Sequence, residues 1–380
     1  MKLHYAVMAG VVKRDRDGAE GSTTFNNNLM RPSAHVGLHA QLLAYDVTRA
    51  DGFNVGINPE QTVPPRVAGG QYQSRTYRFY AGHLEREGKP VEDAQRNLDK
   101  IEATAVEFGA LNLLPADPIK QGQKGLAGAM SVLPLASTWT EDAGMRAAAT
   151  VKQSGQADYR DFSLVWHKGL NLRWANGRPV ENMAAEGFGI PVDPEDNSGM
   201  AVNYRSEPLW YRFGLAPDAP FGHGGWGDLA NVHMAYANDL VGGDPVTPVL
   251  TASPGQPLRI HVTMPSGGSR AATFGLDGHL FPQEPFLAQY TENGYPIPDA
   301  GVASVRFGNN PLSRYAGAQE SVLPAAHFNF LYPGAGGGNA APGDYLYRDQ
   351  AAFGNAGGLW GLLRVQQEQG KGKNGKGNSR

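Results

Sequence analysis

The sequence predicts an all-β protein with two Greek-key β-sandwiches in series, long loops and one short helical insertion. The 380 residues include 50 glycines and 27 prolines, about a fifth of the chain and above average usage. Stretches rich in β-branched and aromatic residues lie between these turn formers, as in all-β proteins. The segments KGLAGAMSV and GGLWGLLRV share a small-residue turn that leads into an apolar strand. This similarity suggests two copies of one sandwich.

The first predicted domain spans residues 1–137. KLHYAVMAGVV opens it as a strand, and FNNNLMRPSAHVGLHAQLLAYDV continues with a strand, a Pro-marked corner and a second strand. RTYRFYAG alternates with period two, which favours another strand. In the segment 91–104, apolar residues recur at helical spacing after a proline, so a helix is predicted there. GQKGLAGAMSVLP then closes the domain as a strand.

The second predicted domain spans residues 158–367, after a small and polar linker at 138–157. It begins with the strand DFSLVWHKGLNLRW, and a loop region rich in Gly, Pro and Asn covers roughly 175–245. QPLRIHVTMP alternates between an apolar and a polar face, as expected of a strand. GLWGLLRV is the last strand. Residues 368–380 contain Gly, Lys and Asn but no large apolar residue, which predicts a disordered basic tail.

Composition excludes several classes of function. The chain has no cysteine, so disulfides, thiolate metal sites and cysteine nucleophiles are ruled out. The net charge of -3 gives no field that would attract nucleic acid. No segment approaches the roughly 20 apolar residues of a membrane span, and residues 1–12 lack the apolar run of a signal peptide.

Three segments carry a resemblance to a known family. FNNNLMRPSAHVGLHAQL resembles the first copper-binding strand of multicopper oxidases, where an Asn-rich strand leads into a His-x-His-Gly motif. SPGQPLRIHVTMPSGGSRAATFGLDGHLFPQEPF resembles the opening of their terminal domain, and PGDYLYRDQAAFGNAGGLWGLLRV resembles their closing His-Cys-His segment. The sequence of these segments most resembles the large bacterial multicopper oxidases of the manganese-oxidising type. The resemblance covers most of residues 20–365 and implies cupredoxin domains, copper cofactors and a location in the periplasm or outside the cell.

The family's type 1 copper ligands are replaced in this chain. A type 1 site uses a thiolate, two imidazoles and usually a weak thioether. An ungapped alignment of the closing segment places five other residues at these positions: Arg348, Asp349, Gln350, Gly354 and Leu359. A type 1 site is therefore not expected, although copper could bind elsewhere.

The resemblance also implies a three-copper cluster, which needs about eight imidazoles in four His-x-His pairs. The first pair reads His35-Val36-Gly37 and the third reads Asp277-Gly278-His279, while the other two pairs have no histidine. The candidate metal ligands are therefore His35, His279 and Asp277. We expect His35 and His279 to face each other across the domain interface with at most one weakly held metal. A structural role for both is the favoured alternative, because two or three ligands hold a divalent ion poorly.

The remaining histidines give weaker signals. His39 lies about 13 Å along an extended strand from His35, too far to share one ion, and is interpreted as a sheet-face histidine. His223 and His233 share a loop region with two aspartates, which is more typical of a solvated loop than of a metal site.

Two hypotheses of function follow, with a plain assembly module as a third. The first is a multicopper-oxidase-like protein with degenerate copper sites, which serves as a structural or accessory unit or as part of a larger copper oxidase. The second is an active copper-dependent oxidase of manganese or a similar metal that completes its cluster with a partner chain or domain. Both predict other cupredoxin domains or protein subunits as partners.

Overall fold

A computed structural model describes residues 32–86, 101–170, 199–214, 232–267, 271–285, 289–290, 296–297 and 310–367. The N-terminal strands are β1 (Leu38–Ala40), β2 (Gly82–Arg86), β3 (Ile101–Ala105), β4 (Gly109–Pro115) and β5 (Gly128–Val132). The next are β6 (Thr138–Asp142), β7 (Met145–Lys152), β8 (Tyr159–His167), β9 (Ala201–Val202), β10 (Val249–Ala252), β11 (Leu258–Ser266) and β12 (Ala272–Leu276).

The C-terminal strands are β13 (Phe281–Pro282), β14 (Gln289–Tyr290), β15 (Pro296–Ile297), β16 (Tyr315–Ala316), β17 (Ala318–Val322), β18 (Ala326–Tyr332), β19 (Gly343–Asp349) and β20 (Trp360–Val365). The described helices are short: α1 (Leu209–Arg212), α2 (Ala352–Ala356) and the 3-10 turns Gly122–Lys124, Val232–Met234 and Gly337–Asn339. The predicted all-β fold class is confirmed.

Two sheets built from strands between Thr138 and Val365 face each other. One has the strand order β10-β20-β19-β12-β17, and the other has β18-β11-β8-β7-β6 with β9 at the end of β8. β8 and β11 are parallel neighbours, as are β10 and β20. The chain changes sheet between β10 and β11, between β11 and β12, and between β17 and β18, as in Greek-key sandwiches.

The sandwich core forms where the apolar faces of these two sheets meet. The apolar residues predicted on one face of β11 lie inside it, with large aromatic side chains from both sheets. Burial of each such side chain stabilises the fold by about 1.5–3 kcal/mol. The largest fully buried side chains include Trp166, Trp360, Tyr159, Tyr332, Tyr347, Phe162, Phe274 and Phe330.

A smaller sheet, ordered β1-β4-β5, packs on the outside of the sandwich. β4 contacts β11 and β18, and β5 contacts β8. This contact explains why all nine residues of β11 are buried, including those on its polar face. The smaller sheet also has an apolar cluster of its own, which centres on Ala40, Leu43 and Leu111.

Three local predictions differ from the structure. Of the predicted helix at 91–104, residues 91–100 lie outside the described part, and 101–104 belong to β3 because they pair with β2. The predicted linker at 138–157 contains β6 and β7, which pair with each other, and β7 pairs with β8. RTYRFYAG supplies only a bridge at Tyr80 and the start of β2. The tail at 368–380 lies outside the described residues, and the domain division stays a prediction.

Candidate functional site

Asp349, which stands at the cysteine position of the closing segment, is the last residue of β19 and is fully buried. Its Oδ1 accepts hydrogen bonds from the backbone N–H groups of Thr273 (2.7 Å) and Ala351 (3.0 Å). Burial raises the pKa of the Asp349 carboxyl above its ordinary value, and these two donors and the nearby Lys168 oppose that shift only in part. The carboxyl therefore joins β12 to the turn after β19.

Gly354 lies on α2 directly against this carboxyl. A Cβ atom added to Gly354 would lie 2.5 Å from Asp349 Cγ and 2.9 Å from Asp349 Cβ, and closer still to Oδ2. Real Cβ atoms do not approach other heavy atoms to such distances. The position that holds a histidine in the family thus has no room for any side chain while Asp349 stays in place.

The other replaced positions also have packing roles. Leu359 is fully buried in the sandwich core, and its N–H donates to the carbonyl of Gly354 at 2.9 Å. Gln350 donates its backbone N–H to Thr273, and its side chain lies against Gly275. The guanidinium of Arg348 is partly exposed, with Nε 3.5 Å from Asp277 Oδ2.

His279 has both ring nitrogens engaged in hydrogen bonds. Its Nε2 accepts from the backbone N–H groups of Gly336 (3.0 Å) and Gly337 (3.1 Å), so the ring proton lies on Nδ1 and is donated to the Asp277 carbonyl (3.0 Å). The ring is buried and meets the Tyr345 ring edge-on at a centroid distance of 4.7 Å. Burial lowers the pKa of His279, and the bond to Asp277 opposes that shift only in part. A metal ion would have to displace existing partners to reach either nitrogen.

His35 lies at a more open place. Its Nδ1 is 3.2 Å from Glu60 Oε1 and 3.3 Å from Thr62 Oγ1, and no hydrogen bond from a described residue reaches its Nε2. The side chain is 44% exposed. It lines a cavity of about 570 Å³ together with Phe53, Asn54 and other residues.

Gly37, the second member of the first His-x-His pair, is enclosed by backbone. A Cβ atom here would lie 3.0 Å from the carbonyl carbon of Gly52 and closer still to its oxygen. Gly52 itself has a φ of 81°, which favours glycine. An imidazole therefore does not fit at position 37 without movement of the backbone.

His39, interpreted from sequence as structural, is anchored by its neighbours. Its Nδ1 is 2.8 Å from Asp51 Oδ1, and its ring stacks on Phe53 at a centroid distance of 4.6 Å. His233 lies in the described part, while His223 lies outside it.

The described ranges contain no group of three or more His, Cys, Asp and Glu side chains that could hold a metal ion. His35, His279 and Asp277 are all described, so the structure does not gather them into such a group. The metal role assigned to them stays a prediction. A search of the same ranges for a helix of sufficient length and apolarity to cross a membrane finds none.

A buried polar seam lies between the small sheet and the sandwich, and nothing in the sequence analysis predicted it. His261 Nε2 lies 2.9 Å from Asp161 Oδ2, and its Nδ1 faces Asn329 Oδ1. Asn329 also accepts from the N–H of Ala110 (3.1 Å) and donates to the carbonyl of Phe108 (2.9 Å).

A buried ion pair between Arg259 and Glu107 completes the seam. The one available signal was that β8 and β11 each place polar residues at alternate positions within otherwise apolar strands. When such a polar face is buried, the element that covers it must supply hydrogen-bond partners, because buried polar groups need hydrogen bonds.

No protein-family model matches the sequence, and no curated protein matches it. Solved structures similar to the chain include copper proteins. A multicopper oxidase shares 12% identity with a TM-score of 0.41, over 88% of this chain and 71% of the other. A copper nitrite reductase from Nitrosomonas europaea shares 12% identity with a TM-score of 0.39, over 90% and 77% of the two chains. A laccase from Botrytis aclada shares 13% identity with a TM-score of 0.41, over 92% of this chain but only 46% of the laccase.

Proposed function

We propose that this chain is a multicopper-oxidase-like protein whose former ligand positions serve packing, and that it acts as a structural or accessory unit or as part of a larger copper oxidase. The observation that carries the proposal is the fit between Asp349 and Gly354. A buried carboxyl occupies the space of the missing ligands and is bonded to two backbone N–H groups. Fold and metal site are separable, so a sandwich can keep its frame while the ligand positions take another role.

Two further positions support the same conclusion. His279 would have to lose two backbone donors before it could bind copper through Nε2. Gly37 has no space for the second imidazole of its pair. At each position the residue present has a packing or hydrogen-bonding role that a copper ligand would disrupt.

An accessory role requires a surface for other cupredoxin domains or subunits. We infer that such partners are the natural context of the chain, since the family arranges its domains in series. The resemblance also supports a periplasmic or extracellular location.

A second function is favoured by His35. Its Nε2 has no partner among the described residues, and the side chain lines a cavity. A partner domain that supplies further imidazoles could complete a copper cluster there. The chain would then be part of an active oxidase of manganese or a similar metal, as the resemblance to the large bacterial enzymes implies.

Thermal unfolding with and without copper separates the two functions. A ligand that binds only the folded state raises the melting temperature with concentration. The accessory role predicts no copper-dependent rise for the isolated chain, and the same behaviour for wild type and His35→Ala. The oxidase role predicts a rise that needs a partner protein from a neighbouring gene and that is lost in His35→Ala. A large rise for the isolated wild type, lost in His279→Ala, would contradict the accessory role.

A further inference from the structure

A groove runs between the small sheet and the outer face of the sandwich, away from all the copper-ligand positions. Its larger part has a volume of about 400 Å³. A neighbouring cavity of about 300 Å³ shares Ala129, Ala147 and Ser163 with it, so the two lie side by side. β6, β7 and β8 form the floor, and β5 with the segment after it forms one wall.

Two carboxylates line this groove from one row of the sheet. Glu141 on β6 pairs with Ala149 on β7, and Ala149 pairs with Asp161 on β8. Residues opposite each other in a sheet project to the same face, and two strand spacings separate Glu141 and Asp161 by about 10 Å between Cα atoms. The small Ala149 between them leaves open space above the sheet.

The two carboxylates differ in their surroundings. Asp161 is buried, and its Oδ2 is held by His261 at 2.9 Å, which fixes its position. Glu141 is exposed and has no ion pair within the described ranges. The neighbouring Asp142 forms an ion pair with Arg160, and the charge of this arginine is therefore already neutralised.

An aromatic ring and apolar side chains complete the lining. Trp139 lies two residues before Glu141 on the same strand and is 58% exposed. Leu133 and Pro134 form part of the wall. Among the described residues, those that line this larger part include no Lys or Arg, whereas Arg205 lines the neighbouring cavity.

We propose that this groove binds an aliphatic ammonium ligand such as a diamine or polyamine. Glu141 and the fixed Asp161 accept hydrogen bonds from the ammonium groups. These hydrogen bonds are stronger than those between neutral groups, because both partners are charged. The face of Trp139 attracts a cation through its ring quadrupole. The alkyl chain of the ligand lies along Leu133, Pro134 and the alanines. The site is independent of copper and of the proposed function.

The test is calorimetric titration of the full chain with diaminopentane, with pentanediol as the matched neutral ligand of equal length. We expect the diamine to bind and the diol to bind at least tenfold more weakly, about the factor that one charge-assisted contact contributes. Binding should weaken with salt, since exposed charges are screened. Equal binding of diol and diamine, or no binding of the diamine, would overturn the proposal.

Two variants assign the contacts. Glu141→Gln should weaken diamine binding about tenfold, and Trp139→Ala about fivefold, in line with charged hydrogen bonds and exposed cation–π contacts. The matched controls are Glu320→Gln on β17 and Leu135→Ala, which are exposed outside the groove lining and should leave binding unchanged. If a variant fails to fold, the indole N–H signal of Trp139 in the NMR spectrum of the wild type tests whether the diamine binds beside this ring. It must shift with the diamine and not with the diol.

Discussion

Replacement of Gly354 by alanine tests the packing between α2 and the buried Asp349 carboxyl. The new Cβ would lie 2.5 Å from Asp349 Cγ, so the carboxyl must move or α2 must shift. Overpacking of a well-packed interior costs about 1–3 kcal/mol. If the carboxyl turns away, the N–H groups of Thr273 and Ala351 also lose their acceptor, which adds about 1–3 kcal/mol for each buried donor left unpaired. We therefore expect Gly354→Ala to lower the free energy of unfolding by about 3 kcal/mol or more.

The same substitution should cost much less once the carboxyl is absent. Asp349→Ala alone destabilises the protein because it removes the acceptor of the two N–H groups. In that background the contact with the carboxyl is gone, but the new Cβ still lies 2.9 Å from the Cβ of residue 349, so a small shift is needed. Alanine is favoured over glycine inside a helix by up to about 1 kcal/mol, which offsets part of that strain, so Gly354→Ala should then cost about 1 kcal/mol or less.

Urea unfolding of wild type, the two single variants and the double variant measures this coupling. The expected interaction energy is about 2 kcal/mol, because Gly354→Ala should cost about 3 kcal/mol in the wild type and about 1 kcal/mol or less in Asp349→Ala. If Gly354→Ala costs less than about 1 kcal/mol in the wild type, the contact is not as close as described and the reasoning fails.

Further predictions concern buried groups elsewhere. His167 is fully buried, and burial lowers its pKa to about 4. In the unfolded chain the imidazole binds a proton near pH 6.5, whereas in the folded chain it stays neutral down to about pH 4. The free energy of unfolding should therefore fall as the pH is lowered from about 6.5 to 4, by roughly 3 kcal/mol for this group. His167→Phe should remove that part of the pH dependence of urea unfolding, and an unchanged slope would contradict the burial. Gly109→Ala should loosen the polar seam, because its Cβ would lie 2.6 Å from Asn329 Cγ where φ is 67°. Hydrogen exchange at Ala110 should then accelerate more than in Gly144→Ala, whose position is open; equal rates would refute this. Gly37→Ala should lower the melting temperature by several degrees, as expected for about 1–3 kcal/mol of strain, and an unchanged melting temperature would show that the backbone yields.

The strands that alternate strongly were predictable from sequence, because each must bury one face. β11 and β20 fall where the alternation and the closing apolar run place them. β6 and β7 were expected as a linker, because their small and polar side chains lack a strong apolar pattern. Their position beside β8 depends on pairing across the sheet, which sequence periodicity does not report.

The sequence identifies the positions at which this chain differs from the family motif, but not how the residues at those positions pack. The resemblance to the family motif implies that Asp349 and Gly354 replace copper ligands. It does not show that one residue fills the space beside the other, since that depends on the path of α2 relative to β19. The bonds of His279 to two loop N–H groups, and the pairing of His261 with Asp161, likewise depend on segments distant in sequence.

Copper content of the purified chain tests the central claim most directly. The protein should be produced in copper-supplemented medium, dialysed against a weak chelator, and measured for metal by mass spectrometry together with its visible absorption spectrum. Packing at the former ligand positions predicts far less than one copper per chain and no intense visible band, because no thiolate is present and Asp349, Gly354 and His279 are already engaged. One or more coppers per chain that survive dialysis and disappear in Asp349→Ala or His279→Ala would contradict the account.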